Sequence, residues 1–148
     1  MGVRLQSEPF DPGAEANAFL ARSKGAGAAV TFTGLVRSTG DDPIASMTLE
    51  HYPALAQNQL ETLLAQAVTR FSLVDGAIIH RYGTLYPDEP IVQVMTLALH
   101  RHAAFEAANF LMDTLKTSAP FWKKEKHPDG ERWVEARDSD DEAAARWT

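Results

Sequence analysis

Four of the chain's five lysines fall within one run, Lys116-Thr-Ser-Ala-Pro-Phe-Trp-Lys123-Lys124-Glu125-Lys126. Titratable cationic nitrogen at that density can do one of two things. Buried, or crowded by like charge, a lysine loses its proton more easily and can act as base or nucleophile. Solvated, it binds anions. Pro120 and two aromatics interrupt the run, which suits a fixed surface and not a loose tail. If the segment from Phe121 is a strand, Phe121 and Lys123 share one face, and Trp122 and Lys124 share the other. A core-facing Trp122 would then turn Lys123 away from the core. Lys116 falls in the last turn of a predicted helix, where the macrodipole favours any cation, reactive or not. Lys126 lies at a turn and is expected to be solvated.

Two further groups could bind anions. His100-Arg101-His102 marks a strand end just before a helix, where backbone N–H groups joined by Arg and His side chains can hold an anion. An ordinary polar junction would carry the same residues. Arg37 ends an apolar strand and opens a Ser-Thr-Gly loop, a position that often presents binding residues, although a lone Arg there is more often just solvated. His51 and His80 stand at apolar strand positions and read as structural. There is no His-Glu-x-x-His, Gly-rich phosphate loop or Ser-His-Asp order, and His100-x-His102 alone is weak as a metal motif. No metal or cofactor is expected.

Composition narrows the chemistry. The formal charge is 14 − 20 = −6, so an anion must be held by a local cluster against the global field, and general affinity for nucleic acid or anionic membrane is not expected. Without cysteine, the chain has no disulfide, thiolate metal site or persulfide. The N-terminus lacks the apolar core of a signal peptide, and no apolar run approaches a membrane span, so the expected location is the cytoplasm. At 148 residues, one domain spanning 1–148 is expected.

The elements that must position these residues follow from periodicity. Val3 to Gln6 is a short extended start, and Ala14 to Ser23 a short helix ended by Gly25 to Gly27. Ala28 to Val36, rich in β-branched and aromatic residues, reads as a buried strand. Ala45 to His51 alternates through Met47, Leu49 and His51, and Ala54 to Phe71 has helical spacing. Strands are expected at Ala77 to Tyr82 and Ile91 to Leu99. The helix Ala103 to Lys116 is apolar on most of its circumference and should be packed on several sides. Phe121 to Lys124 and Arg132 to Ala136 form a hairpin turned by His127-Pro-Asp-Gly130, and Ser139 to Trp147 a last helix capped by Ser139 or Asp138. This order fits an α+β domain with helices against a mostly antiparallel sheet.

At these residues the chain resembles the molybdopterin synthase catalytic (large) subunit family. The resemblance runs through Val-Thr-Phe-Thr-Gly-Leu-Val-Arg37, Leu49-Glu-His-Tyr-Pro53, Ile79-His-Arg-Tyr-Gly83, His100-Arg101-x-x-Ala-Phe-Glu106, Lys116-Thr-x-Ala-Pro-Phe-Trp-Lys123-Lys-Glu125 and Arg132-Trp-Val-Glu-Ala-Arg137. It implies an α/β-hammerhead-type α+β domain, and a sulfurtransferase that builds the dithiolene of molybdopterin on cyclic pyranopterin monophosphate. It also implies a sulfur donor, the C-terminal Gly-Gly thiocarboxylate of a small ubiquitin-like subunit, and a homodimer of large subunits within a heterotetramer. Carried over by position, Lys116 and Lys123 match the catalytic lysines. Leu35, Val36, Arg37, His100, Arg101, Lys124 and Glu125 match substrate contacts, with Arg137 a further cationic contact. Two competing readings remain. One is a non-catalytic module that grips a ubiquitin-like tail or an anionic metabolite. The other is an RNA-binding domain, disfavoured by the −6 charge.

Overall fold

The computed structural model describes residues 2–118, 121–134 and 138–148. In chain order the elements are β1 (Gly2–Gln6), α1 (Pro12–Leu20), β2 (Ala28–Leu35), β3 (Ser46–His51), α2 (Pro53–Phe71) and β4 (Asp75–Arg81). Then come β5 (Gly83–Leu85), β6 (Pro90–Ala98), α3 (Arg101–Ser118), β7 (Phe121–His127), β8 (Gly130–Val134) and α4 (Asp138–Ala145). The class is α+β, as expected. The strands divide between two four-stranded sheets, ordered β1-β4-β6-β2 and β5-β3-β7-β8, where the sequence pattern suggested one. Pairing is antiparallel throughout these sheets except between β1 and β4.

Two core layers flank the first sheet because alternate strand residues point to opposite faces. Ile78, Val92 and Val94 turn toward α2 and α3, where they meet Leu60, Leu63, Leu64, Leu111 and Leu115. Ala77, Ile79, Met95 and Leu97 turn the other way, onto Phe19 of α1. The second sheet has its own core of Val36, Ile44, Met47, Leu49 and Leu85. Helix α1 begins where Asp11 accepts from the Gly13 and Ala14 N–H groups and Pro12 opens the first turn. Helix α2 ends at Ser72, which takes the left-handed conformation at φ 51°.

One burial expectation fails. β2 is an edge strand with β6 as its neighbour, so Phe32 and Leu35 are exposed instead of buried. Helix α3 is packed on several sides, as expected, against β2 and β6 and against α2 and α4, while Phe105 stays 56% exposed. Apolar content alone did not fix the number of strand partners. Ala136, expected in the hairpin, and Pro120 lie outside the described residues, as do the side chains of Asp138 and Ser139.

The chain end is tied back to α3. Trp147 meets Phe71 and Phe110 edge-on, at 5.8 and 5.6 Å between ring centroids, and its indole N–H donates to Asp113 at 2.6 Å. Asp113 lies one turn before Lys116, so α4 helps fix the end of the helix that carries that lysine. Among the described residues, no helix is long and apolar enough to cross a membrane.

Candidate active site around Lys116 and Lys123

The site starts from strand direction. β6 is antiparallel to β4 and β2, which places His80 opposite Val92 and Leu35 opposite Pro90. Helix α3 then returns along the same sheet. Its first turns pack on Ala98 and Leu73, and its last turns on Val92 and Val94. Lys116, His80 and the end of β2 that leads to Arg37 therefore gather at one end of the first sheet. His100 and Arg101 lie at the opposite end of α3. Fifteen residues of helix at about 1.5 Å each separate Arg101 from Lys116 by roughly 22 Å.

β7 brings Lys123 to the gathered end. Phe121 pairs in register with His51 of β3, and its ring stacks on His80 at 4.1 Å and 9°. The His51 ring lies 4.2 Å from Tyr82 and 5.9 Å from Phe121. Trp122 is exposed, so the alternation turns Phe121 and Lys123 inward, and Lys123 is half-buried between its register partners Leu49 and Val134. Lys116 is exposed at the end of α3.

His80 links the two lysines. Its Nδ1 lies 2.8 Å from the Arg81 carbonyl, which can only accept, so that nitrogen carries the proton and Nε2 keeps its lone pair. Burial pushes the ring down to about 4. The charges of Lys123, His51 and Lys116 push the same way, while the bond to Arg81 opposes them. One neutral imidazole, stacked on Phe121, thus feels both ammonium groups.

The other expected site residues divide. Arg37 is exposed just past Val36, at the same end of the sheet. The Val36 side chain is committed to the second core, its N–H donates to the Glu89 carbonyl and its own carbonyl accepts from Asp88. Val36 thus anchors its exposed neighbours Leu35 and Arg37. Lys124 occupies the face opposite Lys123, where it pairs with Glu131 at 3.0 Å and lies over the Trp133 ring. Glu125 is on the Lys123 face but accepts from His127 Nε2 at 2.9 Å. Arg137 lies outside the described residues. Among the described residues, no three His, Asp or Glu side chains are grouped to hold a metal ion.

Sequence reasoning set His51 and His80 aside as structural. The signal was present: Met47, Leu49 and His51 alternate onto one face, and His51 is directly opposite Phe121 of the lysine run.

Known proteins of similar sequence and shape share a description. A family model described as MoaE protein matches residues 5–118. A molybdopterin synthase catalytic subunit from Cereibacter sphaeroides is 48% identical over 147 residues, covering 99% of this chain and 100% of that protein. The solved molybdopterin biosynthesis MoaE protein from Burkholderia ambifaria is 50% identical with a TM-score of 0.83, covering 99% of this chain and 97% of that one. A complex of subunits 1 and 2 of molybdopterin-converting factor from Helicobacter pylori has a TM-score of 0.77 over 91% of each chain. At 20% identity, that likeness shows the fold alone.

Proposed function

We propose a function from the premise that the chain belongs to the molybdopterin synthase catalytic subunit (MoaE) family, enzymes of molybdopterin biosynthesis. The reaction is transfer of sulfur from the C-terminal thiocarboxylate of a small ubiquitin-like partner to cyclic pyranopterin monophosphate, giving the dithiolene of molybdopterin. The observation that carries this reading is that Lys116 and Lys123, on different elements, both act through their charges on the buried His80 ring at one end of the first sheet.

The chemistry suits these groups. A chain without cysteine cannot hold the sulfur itself, so the donor must be external. In each of two transfers the thiocarboxylate sulfur bonds a side-chain carbon of the pterin as the oxygen on that carbon leaves, and water then cleaves the acyl–sulfur bond to leave the partner's carboxylate. Negative charge develops on acyl oxygen and sulfur along the way, and a fixed ammonium beside them stabilises it. Opening the cyclic phosphate delivers an alkoxide-like oxygen that needs a proton, which a lysine supplies as general acid. Arg37 offers a planar fork of donors to the phosphate.

The same geometry supports a particular assembly. His100 and Arg101 stand roughly 22 Å along α3 from Lys116, too far for one small substrate to touch both in a single copy. A homodimer resolves this if one copy lends His100 and Arg101 to the lysine site of the other. Each copy, a single domain, then binds one small subunit to make a cytoplasmic heterotetramer.

The test is direct. The chain is incubated with cyclic pyranopterin monophosphate and a thiocarboxylated small partner, and molybdopterin is assayed. Lys123→Ala should lower turnover by about 100-fold or more, the scale of a lost acid–base or charge-stabilising group, with folding and partner binding retained. Full turnover by that variant would sink the assignment. Binding of both components without product would instead leave a binding module.

A further inference from the structure

The two lysines of the site ride on different sheets. Lys116 ends α3, whose last turns pack on Val92 and Val94 of the first sheet, while Lys123 lies on β7 of the second. The sheets share no strand pairing, and each has its own core, with Ile91 touching both. Among the described residues, the extensive packing of helices on strands falls on first-sheet strands alone. The join between the sheets beside Lys123 therefore bears on how one ammonium stands against the other.

Four rings make that join. His80 and Tyr82, two residues apart at the end of β4, belong to the first sheet. The Tyr82 N–H donates to the Gln6 carbonyl at 3.1 Å, which keeps this residue beside β1. Phe121 and His51, register partners on β7 and β3, belong to the second sheet. The rings meet two against two, Phe121 on His80 at 4.1 Å and 9°, and His51 on Tyr82 at 4.2 Å and 32°. His51 and Phe121 are 5.9 Å apart. Phe121 also packs against the core of the first sheet, although its strand belongs to the second.

Flat rings at these distances hold direction as well as area, because sliding or tilting one strand loses the overlap. An aliphatic side chain fills space without that constraint. Lys123 follows Phe121 by two residues, about 7 Å along the strand and on the same face, so any slack at the ring passes directly to the lysine.

We propose that this four-ring clasp positions Lys123 relative to Lys116, with Phe121 and His51 as its positioning residues. The positioning role rests on the sulfur-transfer reading, since it matters only where both lysines act on one substrate. The clasp as a join between sheets does not depend on that reading.

The experiment separates the two. Phe121→Leu keeps an apolar side chain and removes the ring. His51→Leu is the second variant; the His51 Nε2 is buried with no hydrogen-bond partner among the described residues, so its removal loses no bond at that atom. Amide hydrogen exchange of β3 and β7 is compared with that of β4 and β6 in the full chain. KM and kcat for cyclic pyranopterin monophosphate are measured with the thiocarboxylated partner, for each variant alone and combined with Lys123→Ala. Protection in β3 and β7 should fall by about three- to tenfold, the worth of a lost aromatic pair, and by more than in β4 and β6. The kcat should fall by about tenfold while KM holds, since roughly 1 Å of misplacement can cost a hundredfold. Added to Lys123→Ala, neither ring change should lower kcat further, because a residue that acts through Lys123 has nothing left to position.

A full multiplicative loss in that background, or unchanged kcat in both ring variants, would overturn the positioning role. Equal loss of protection in both sheets, or none in either, would overturn the clasp whatever the activity. If Phe121→Leu does not fold, His51→Leu decides both questions by the same measurements. An unaltered chain that forms no product would fail the sulfur-transfer reading, while the exchange result still decides the clasp.

Discussion

His80 should make the protein acid-sensitive over a defined window. In the unfolded chain the ring has its ordinary value of 6.5, and in the fold burial brings it down to about 4. Above pH 6.5 the ring is neutral in both states, and its full contribution to stability is present. Between 6.5 and 4 the unfolded chain takes up a proton that the native state refuses, so stability falls by up to about 1.4 kcal/mol per pH unit. Below about 4 both states are protonated and the loss stops. The total is about 3 kcal/mol, a large share of an ordinary domain's stability. Chemical denaturation at several pH values between 7 and 4 measures it, with His80→Gln as the comparison. Glutamine can still donate to the Arg81 carbonyl but does not titrate. Carboxylates lose stability in both proteins, so the difference between the two pH slopes isolates the ring. Equal slopes, or an NMR titration of His80 near 6.5, would refute the reasoning.

Three further outcomes follow from contacts elsewhere. Lys124→Ala removes a partly exposed pair with Glu131 on the face away from Lys123, so stability should drop by less than about 1 kcal/mol and turnover by less than about twofold. A loss on the scale expected for Lys123→Ala would place Lys124 in the site after all. Trp147→Ala empties the space against Phe71 and Phe110 and takes the indole donor from Asp113. It should cost about 3 kcal/mol in denaturant unfolding, and an unchanged midpoint would show that α4 does not secure α3. At Gly27, a Cβ would fall 2.3 Å from the Leu99 carbonyl oxygen, a backbone atom that cannot swing aside. Gly27→Ala should therefore lower the melting temperature through about 1–3 kcal/mol of strain, and an unshifted melt would contradict it.

The sequence made some of this plain and hid the rest for identifiable reasons. The elements with strong period were readable: α2 with its leucine stripe, β3 with Met47 and Leu49, and the hairpin around Pro128 and Asp129. The three residues of β5 are too few to show alternation, and Leu85 is buried there only because β3 runs beside it. Edge and centre were not separable, since β2 and β6 are both rich in β-branched residues while β6 alone has strands on both sides. The lysine run announced the site, and strand parity depended on the single question of which way Trp122 faces.

The histidines were the hardest part to read, and they sharpen what the lysine run means. A histidine at an apolar strand position looks structural because burial is what the pattern reports. Here burial is also what gives the ring its effect: it holds His80 neutral where the charges of both Lys116 and Lys123 are felt. A buried neutral imidazole stacked on Phe121 adds no positive charge of its own where it feels both ammonium groups. Crowding in the sequence is therefore not crowding in space: of the four clustered lysines, two act on His80 through their charges, one is paired across the strand and one, Lys126, is exposed at the hairpin.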